Sequence, residues 1–263
     1  MILQNKVVVI SGIGPGLGSK LALLAAQEGA KLVVAARSSD KLDSLVHDAQ
    51  ALGINEKNIL KIPTDITDSA ACARLADKAV STFGQIDVLI NSAYDPGSFA
   101  PVDQANLEQW QRPLEVNYFG TLKLTQAVVP HMRSAGGGSI VMINTMAVHK
   151  PMQFNGGYAA SKAALASASA HLALELGKDN IRVNSVYMGW MWGPSVENYM
   201  RETALERGVD IDVLKQEVIA QIPLGCIPSD EECGRAALFL ASDYASAVTG
   251  ANLDVNGGEF MPH

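Results

Sequence analysis

Apolar and polar positions along this chain follow two alternating rhythms. Short apolar runs recur: V7-V-V-I10, K31-L-V-V-A-A36, I59-L-K-I62, I86-D-V-L-I90, S139-I-V-M-I143, I181-R-V-N-S-V186 and A251-N-L-D-V255. Their Val and Ile content predicts strands, several of them buried on both faces. Longer stretches with helical spacing separate them, predicting helices over about 19–28, 40–52, 69–83, 107–135 and 158–176. Asp68 or Thr67 stands where the third of these helices needs a cap. Strands alternating with helices imply a doubly wound parallel sheet covered on both faces, built as a single α/β domain over residues 1–263. The segment 191–221 breaks the rhythm with a long insertion of mixed character and reads as a lid. No repeat, low-complexity run or linker is visible.

Composition narrows the class. A chain of 263 residues, nearly half of them apolar, has enough material for one large core. The net charge is −7 and no stripe of Lys and Arg forms, which argues against nucleic-acid binding. Cys72, Cys226 and Cys233 are odd in number and lack a C-x-x-C pair, so neither a disulfide framework nor a metal site is expected. The chain enters its first strand almost at once, without the layout of a signal peptide. No apolar stretch reaches the roughly 18 residues of a membrane span. These features fit a soluble cytoplasmic protein.

The candidate chemistry begins at S11-G-I-G-P-G-L-G18, between the first strand and the first helix. Gly12, Gly14, Gly16 and Gly18 permit a tight turn and bring backbone N–H groups up to a pyrophosphate at a helix N-terminus. NAD binders place a carboxylate about 20 residues further on, for the ribose 2′-hydroxyl. Here the second strand ends A35-A36-R37-S38-S39, with no acid. Arg37, helped by Ser38 and Lys41, can instead pair with a 2′-phosphate, so NADP(H) is expected over NAD(H). Asp65, at the end of the third strand, can accept from an adenine amino group or cap a helix. Tyr158 and Lys162 lie four residues apart in Y158-A-A-S-K162, one helical turn apart on one face.

Taken together, these motifs resemble the short-chain dehydrogenase/reductase family over essentially the whole chain. The glycine turn, D65-I66, N91-S-A-Y94, Asn117, Thr145, Y158-A-A-S-K162, I181-R-V-N-S-V186 and D254-V-N-G-G258 carry the resemblance. It implies a Rossmann-like, seven-stranded parallel sheet, and a dimer or tetramer of identical chains. It implies hydride transfer between a nicotinamide and an alcohol or ketone, with Tyr158 as the acid/base. Lys162, beside it, would lower the phenol pKa and bond the nicotinamide ribose, and Asn117 would hold a relay water. Ser11, Leu17, Ile66, Asn91, Ala93 and Gly189 would belong to the cofactor site. The family's orienting serine lies thirteen positions before the tyrosine, where this chain has Thr145. Asn144 is a weaker candidate for the same contact.

Three departures are visible. Tyr94 replaces a glycine, and Met188-Gly189 stands for Pro-Gly. The threonine that commonly bonds the nicotinamide carboxamide has no counterpart, Gly193 standing about at its place. Tyr94, Phe99, Met146, Met152, Phe154, Tyr187, Met188, Trp190, Met191 and Trp192 follow the fourth to sixth strands. As a group they predict a broad apolar pocket for a small apolar carbonyl or alcohol, cyclic or steroid-like ones included. Only Lys150 brings a strong positive charge to these loops, which disfavours an anionic substrate. His149 reads as a loop residue. Alternatives are a 3-oxoacyl thioester reductase of the same family, or a catalytically silent NADP-binding regulator.

Overall fold

The computed structural model describes residues 1–261. Seven strands form one parallel sheet in the order β3-β2-β1-β4-β5-β6-β7. They are β1 Val7–Ser11, β2 Lys31–Ala36, β3 Ile59–Pro63, β4 Val88–Asn91, β5 Gly138–Thr145, β6 Ile181–Met188 and β7 Asn252–Val255. Val9 pairs with Val33 on one side and Leu89 on the other, at the centre of the sheet. Chain order reverses at β1, so the crevice beyond the ends of β1 and β4 is a topological switch point.

Alternate strand residues feed two cores, as the period of two requires. Val8, Ile10, Leu32 and Val34 pack under α1 Leu17–Gln27 and α2 Ser39–Ala51. Val7, Val9, Val33 and Leu89 pack under α3 Ser69–Phe83, α4 Thr121–Ser134 and α5 Gly156–Leu176. Asp68 caps α3, its carboxylate accepting from the Ala70 N–H at 2.8 Å. The three cysteines are unpaired, and no described helix is long and apolar enough to cross a membrane.

The structure differs from the sequence reading in three elements. The stretch 107–135 is not one helix: a 3₁₀ turn Leu107–Trp110 and a short α segment lead to a π-helical turn Leu114–Gly120 before α4 begins. The insertion after β6 is α6 Pro194–Arg207 and α7 Ile211–Ile219, which share a small core of Met200, Ile222 and Ile227. A helix absent from the sequence reading, α8 Asp230–Ala241, opens with a capping box between Ser229 and Glu232 and packs beside α1 on the first core.

Candidate active site

A cleft of about 950 Å³ runs along the C-terminal ends of the strands. The glycine turn forms one end, and its glycines have separate tasks. Gly12 has φ +83°, and a Cβ there would collide with the Ala93 backbone, while one on Gly18 would collide with the Gly12 carbonyl. Both positions hold chain segments together. A Cβ on Gly14 meets nothing within 4 Å, so this residue opens onto the cleft. Gly12→Ala is therefore expected to lower the melting temperature and cofactor affinity together, through strain and overlap. Gly14→Ala is expected to leave the melting temperature unchanged yet weaken dinucleotide binding. Calorimetry paired with binding titration checks both.

Further along, α5 carries Tyr158 and Lys162 against the end of β5. Gly157 lets the start of that helix rest on the Trp110 indole, where a Cβ would stand 2.8 Å from the ring. Lys162 is 2% exposed and its ammonium donates to the Ile143 carbonyl at 2.7 Å. Burial lowers its pKa to about 8. Tyr158 is half-buried; burial raises its pKa and nearby Tyr94 adds to the rise, while a hydrogen bond with the Thr145 hydroxyl pulls it back. Thr145 ends β5, and its Oγ1 also accepts from the Ala147 N–H at 3.2 Å. A phenol, a hydroxyl and an ammonium thus meet at one wall of the cleft. At the opposite end Arg37, Ser38 and Lys41 follow β2 and face Asp65. Burial alone would raise the Asp65 carboxyl, but Thr67's N–H and hydroxyl, with Arg112 and Arg37, hold it below its usual range.

The arrangement has counterparts among known proteins. A family model described as Enoyl-(Acyl carrier protein) reductase matches residues 12–259. A short-chain type dehydrogenase/reductase from Mycobacterium ulcerans superposes with a TM-score of 0.90 at 28% identity, covering 98% of this chain and 91% of that one. The chain belongs to the short-chain dehydrogenase/reductase family. A 3-oxoacyl-[acyl-carrier-protein] reductase of Thermotoga maritima is 37% identical over 98% of this chain and 99% of its own length. A trans-4-hydroxycyclohexanecarboxylate dehydrogenase of Sinomonas cyclohexanicum is 36% identical over 97% and 93%. The protein is accordingly an oxidoreductase of CH–OH groups that works with a nicotinamide cofactor.

Within this short-chain dehydrogenase/reductase, most sequence-predicted residues line the cleft: Gly12, Gly14, Gly16, Leu17, Gly18, Arg37, Ser38, Asp65, Ile66, Ala93, Tyr94, Thr145, Phe154, Tyr158, Lys162, Met188, Gly189 and Trp190. Five do not. Ser11 lies beneath the floor, its hydroxyl accepting from the Ser92 and Ala93 N–H groups. Asn91 is buried, its amide donating to Thr125 Oγ1 at 3.1 Å. Asn117, in the π turn, is 0% exposed; it accepts from the Asp95 N–H at 2.7 Å and donates to Ser161 Oγ at 2.9 Å. Its side chain therefore ties the loop after β4 to α5. Met146 is 1% exposed and turns into the interior. Trp192 packs on the small insertion core with Lys215 4.0 Å above its ring.

Other expectations change as well. The phenol of Tyr158 is raised in the protein alone, first by burial and then by nearby Tyr94, while the Lys162 ammonium donates to the Ile143 carbonyl. Asn144 lines the cleft with its amide donating to the Lys162 carbonyl at 3.3 Å, which makes it a support for α5. His149 stacks on buried Tyr187 with centroids 4.5 Å apart, and Lys150 pairs with Glu259 at 2.8 Å. Neither lines the cleft, but Arg112 does, 3.7 Å from Asp95. Sequence reasoning missed Arg112, Tyr199 and Asp230, which reach the cleft from segments without a local motif.

Buried Lys162 also has a stability cost. Its folded pKa, about 8, lies below the unfolded value of 10.5, so the unfolded chain binds more protons between them. The contribution of this group therefore improves as pH rises through that window. Lys162→Met is expected to raise stability relative to wild type at pH 7 by more than at pH 10, the difference being of order 2–3 kcal/mol. Denaturant titrations of both proteins at the two pH values check it. An equal difference at both would mean that the ammonium is not penalised by burial.

Proposed function

We propose that the protein is an NADP(H)-dependent oxidoreductase interconverting an apolar secondary alcohol and its ketone, with a cyclic or steroid-like substrate fitting best. The observation that carries the reading is one cleft with Arg37 and Lys41 at one end and Thr145, Tyr158 and Lys162 at the other, walled by large apolar side chains. The fit to a dinucleotide rests on the open face at Gly14 and the glycine-built turn. When bound, the nicotinamide exchanges a hydride with the substrate carbon.

The residues of the chain do the rest. Tyr158 donates a proton to the developing alkoxide during reduction and accepts it during oxidation, with Thr145 orienting the oxygen. Lys162 supplies positive charge behind the phenol, and the side chain of Asn117 holds the frame between the loop after β4 and α5. Arg37, with Ser38 and Lys41, takes the 2′-phosphate, and Asp65 faces the adenine. Tyr94, Phe99, Phe154 and Trp190 line the substrate end; the first three are about half exposed, an unusual amount of large apolar surface around an opening. Helices α6 and α7 act as a lid, since Val196 and Tyr199 reach the cleft from α6. Assembly as a homodimer or homotetramer is supported by a shallow apolar depression of Leu114, Tyr118, Phe119, Leu122 and Leu172.

A 3-oxoacyl thioester reductase is the second reading, favoured by the 37% identical Thermotoga relative. A screen following absorbance at 340 nm, with NADPH or NADH and cyclic, aliphatic, steroid and acyl-thioester ketones, separates the two. Turnover with NADPH on bulky cyclic ketones is the expected result. Turnover confined to thioesters supports the second reading, and binding without turnover points to a regulator.

A further inference from the structure

The family resemblance puts Gly193 at about the place of a hydroxyl that bonds the nicotinamide carboxamide, and the structure shows what fills the space beside it. A Cβ built on Gly193 would overlap the carboxylate of Asp230, which arrives from the first turn of α8. That carboxylate lines the cleft between Gly193 and Gly16, 3.5 Å from the point a Gly16 Cβ would take. Asp230 is 6% exposed. Among the described residues, no hydrogen bond or ion pair reaches its side chain. The α8 cap does not require it, because Ser229 and Glu232 complete the capping box themselves.

A largely buried carboxylate without a protein donor is costly, and because it lines the cleft a molecule bound there can supply one. The dinucleotide phosphates have no N–H and would repel it. On the nicotinamide side the donors are the ribose hydroxyls and the carboxamide NH₂, and the position of the carboxylate against Gly193 favours the carboxamide. Resting on the cofactor reading above, we infer that Asp230 is the positioning residue that accepts this N–H, replacing the missing hydroxyl at 193 and so fixing the nicotinamide ring. Burial raises the carboxyl pKa while the positive charge of Lys20 opposes the rise.

The exchange is structurally reversible. Gly193 has φ −159° and ψ 177°, extended backbone that threonine adopts freely once the carboxylate is gone. The test compares wild type, Asp230→Ala, Asp230→Asn and the pair Asp230→Ala with Gly193→Thr. The ligands are NADPH, its 3-acetylpyridine analogue, which has no amide N–H, and 2′-phospho-ADP-ribose, which has no nicotinamide. Binding is read by calorimetry.

Asp230→Ala is expected to weaken NADPH about tenfold or more, as for loss of a charge-assisted hydrogen bond, and to leave the other two ligands unchanged. Asp230→Asn, which retains a carbonyl acceptor, is expected to keep part of the affinity, and Gly193→Thr to restore it in the Ala background. Equal weakening of all three ligands would show a phosphate or structural role and overturn the inference, as would unchanged NADPH binding. A wild type that binds neither NADPH nor NADH would overturn the cofactor reading itself, and this inference with it.

Discussion

Tyr158→Phe lowers turnover about a thousandfold or more while NADPH affinity stays within about twofold. The first part follows from chemistry. Hydride transfer to a carbonyl leaves charge on oxygen, and general acid catalysis contributes about 10² to 10⁴ in rate. Tyr158 is the acid available, since Lys162 is buried and its ammonium is directed at the Ile143 carbonyl. The second part follows from packing. Phenylalanine keeps the ring on α5, and the Thr145–Ala147 and Lys162–Ile143 hydrogen bonds do not pass through the phenol.

The pH dependence carries the same signature. With the phenol pKa raised by burial, reduction in wild type holds through neutral pH and falls at alkaline pH, while oxidation rises with pH. In Tyr158→Phe both slopes disappear. Steady-state kinetics with a ketone from the screen, paired with NADPH titration, measures this; a variant within tenfold of wild type would remove Tyr158 from the proposed mechanism.

How much of this was legible in the sequence depends on whether the signal is local. The glycine turn, the Val-rich strands and the Tyr158–Lys162 spacing each lie within one element or one turn, so pattern alone placed them. The π turn was not legible because its residues, L114-E-V-N-Y-F-G120, have ordinary helical composition; the extra residue per turn is imposed by packing, with Asn117 drawn to the Asp95 backbone. Helix α8 had a readable start in S229-D-E-E232, a capping box followed by an apolar run, and could have been found. Asp230 could not, because nothing in the sequence says that a first-turn acid of α8 lies against Gly193. Met146 and Trp192 were placed with their neighbours by proximity in sequence, but burial and the Lys215 contact hold them off the cleft.

Arg37→Asp moves the ratio of kcat/KM for NADPH over NADH towards NADH by about 10² to 10³. Arg37 is exposed at the end of β2, with Ser38 and Lys41 beside it on the cleft wall. A charge-assisted hydrogen bond of this type contributes about 1.5–3 kcal/mol. The substitution removes that bond and sets a carboxylate against the 2′-phosphate, adding about 1 kcal/mol of repulsion in a solvent-screened setting. For NADH it does the reverse, since the new carboxylate can accept from the 2′-hydroxyl.

Arg37→Ala, which leaves Lys41 in place and adds no repulsion, is expected to shift the ratio less. Because these cations are exposed, the KM for NADPH in wild type should climb with ionic strength more steeply than that for NADH, and the difference should shrink in Arg37→Asp. Initial rates at low and high salt with both coenzymes give all four quantities. An unchanged ratio in Arg37→Asp would assign the phosphate to Lys41 or show that the cleft does not discriminate, and would leave the lack of an acid after β2 unrelated to coenzyme choice.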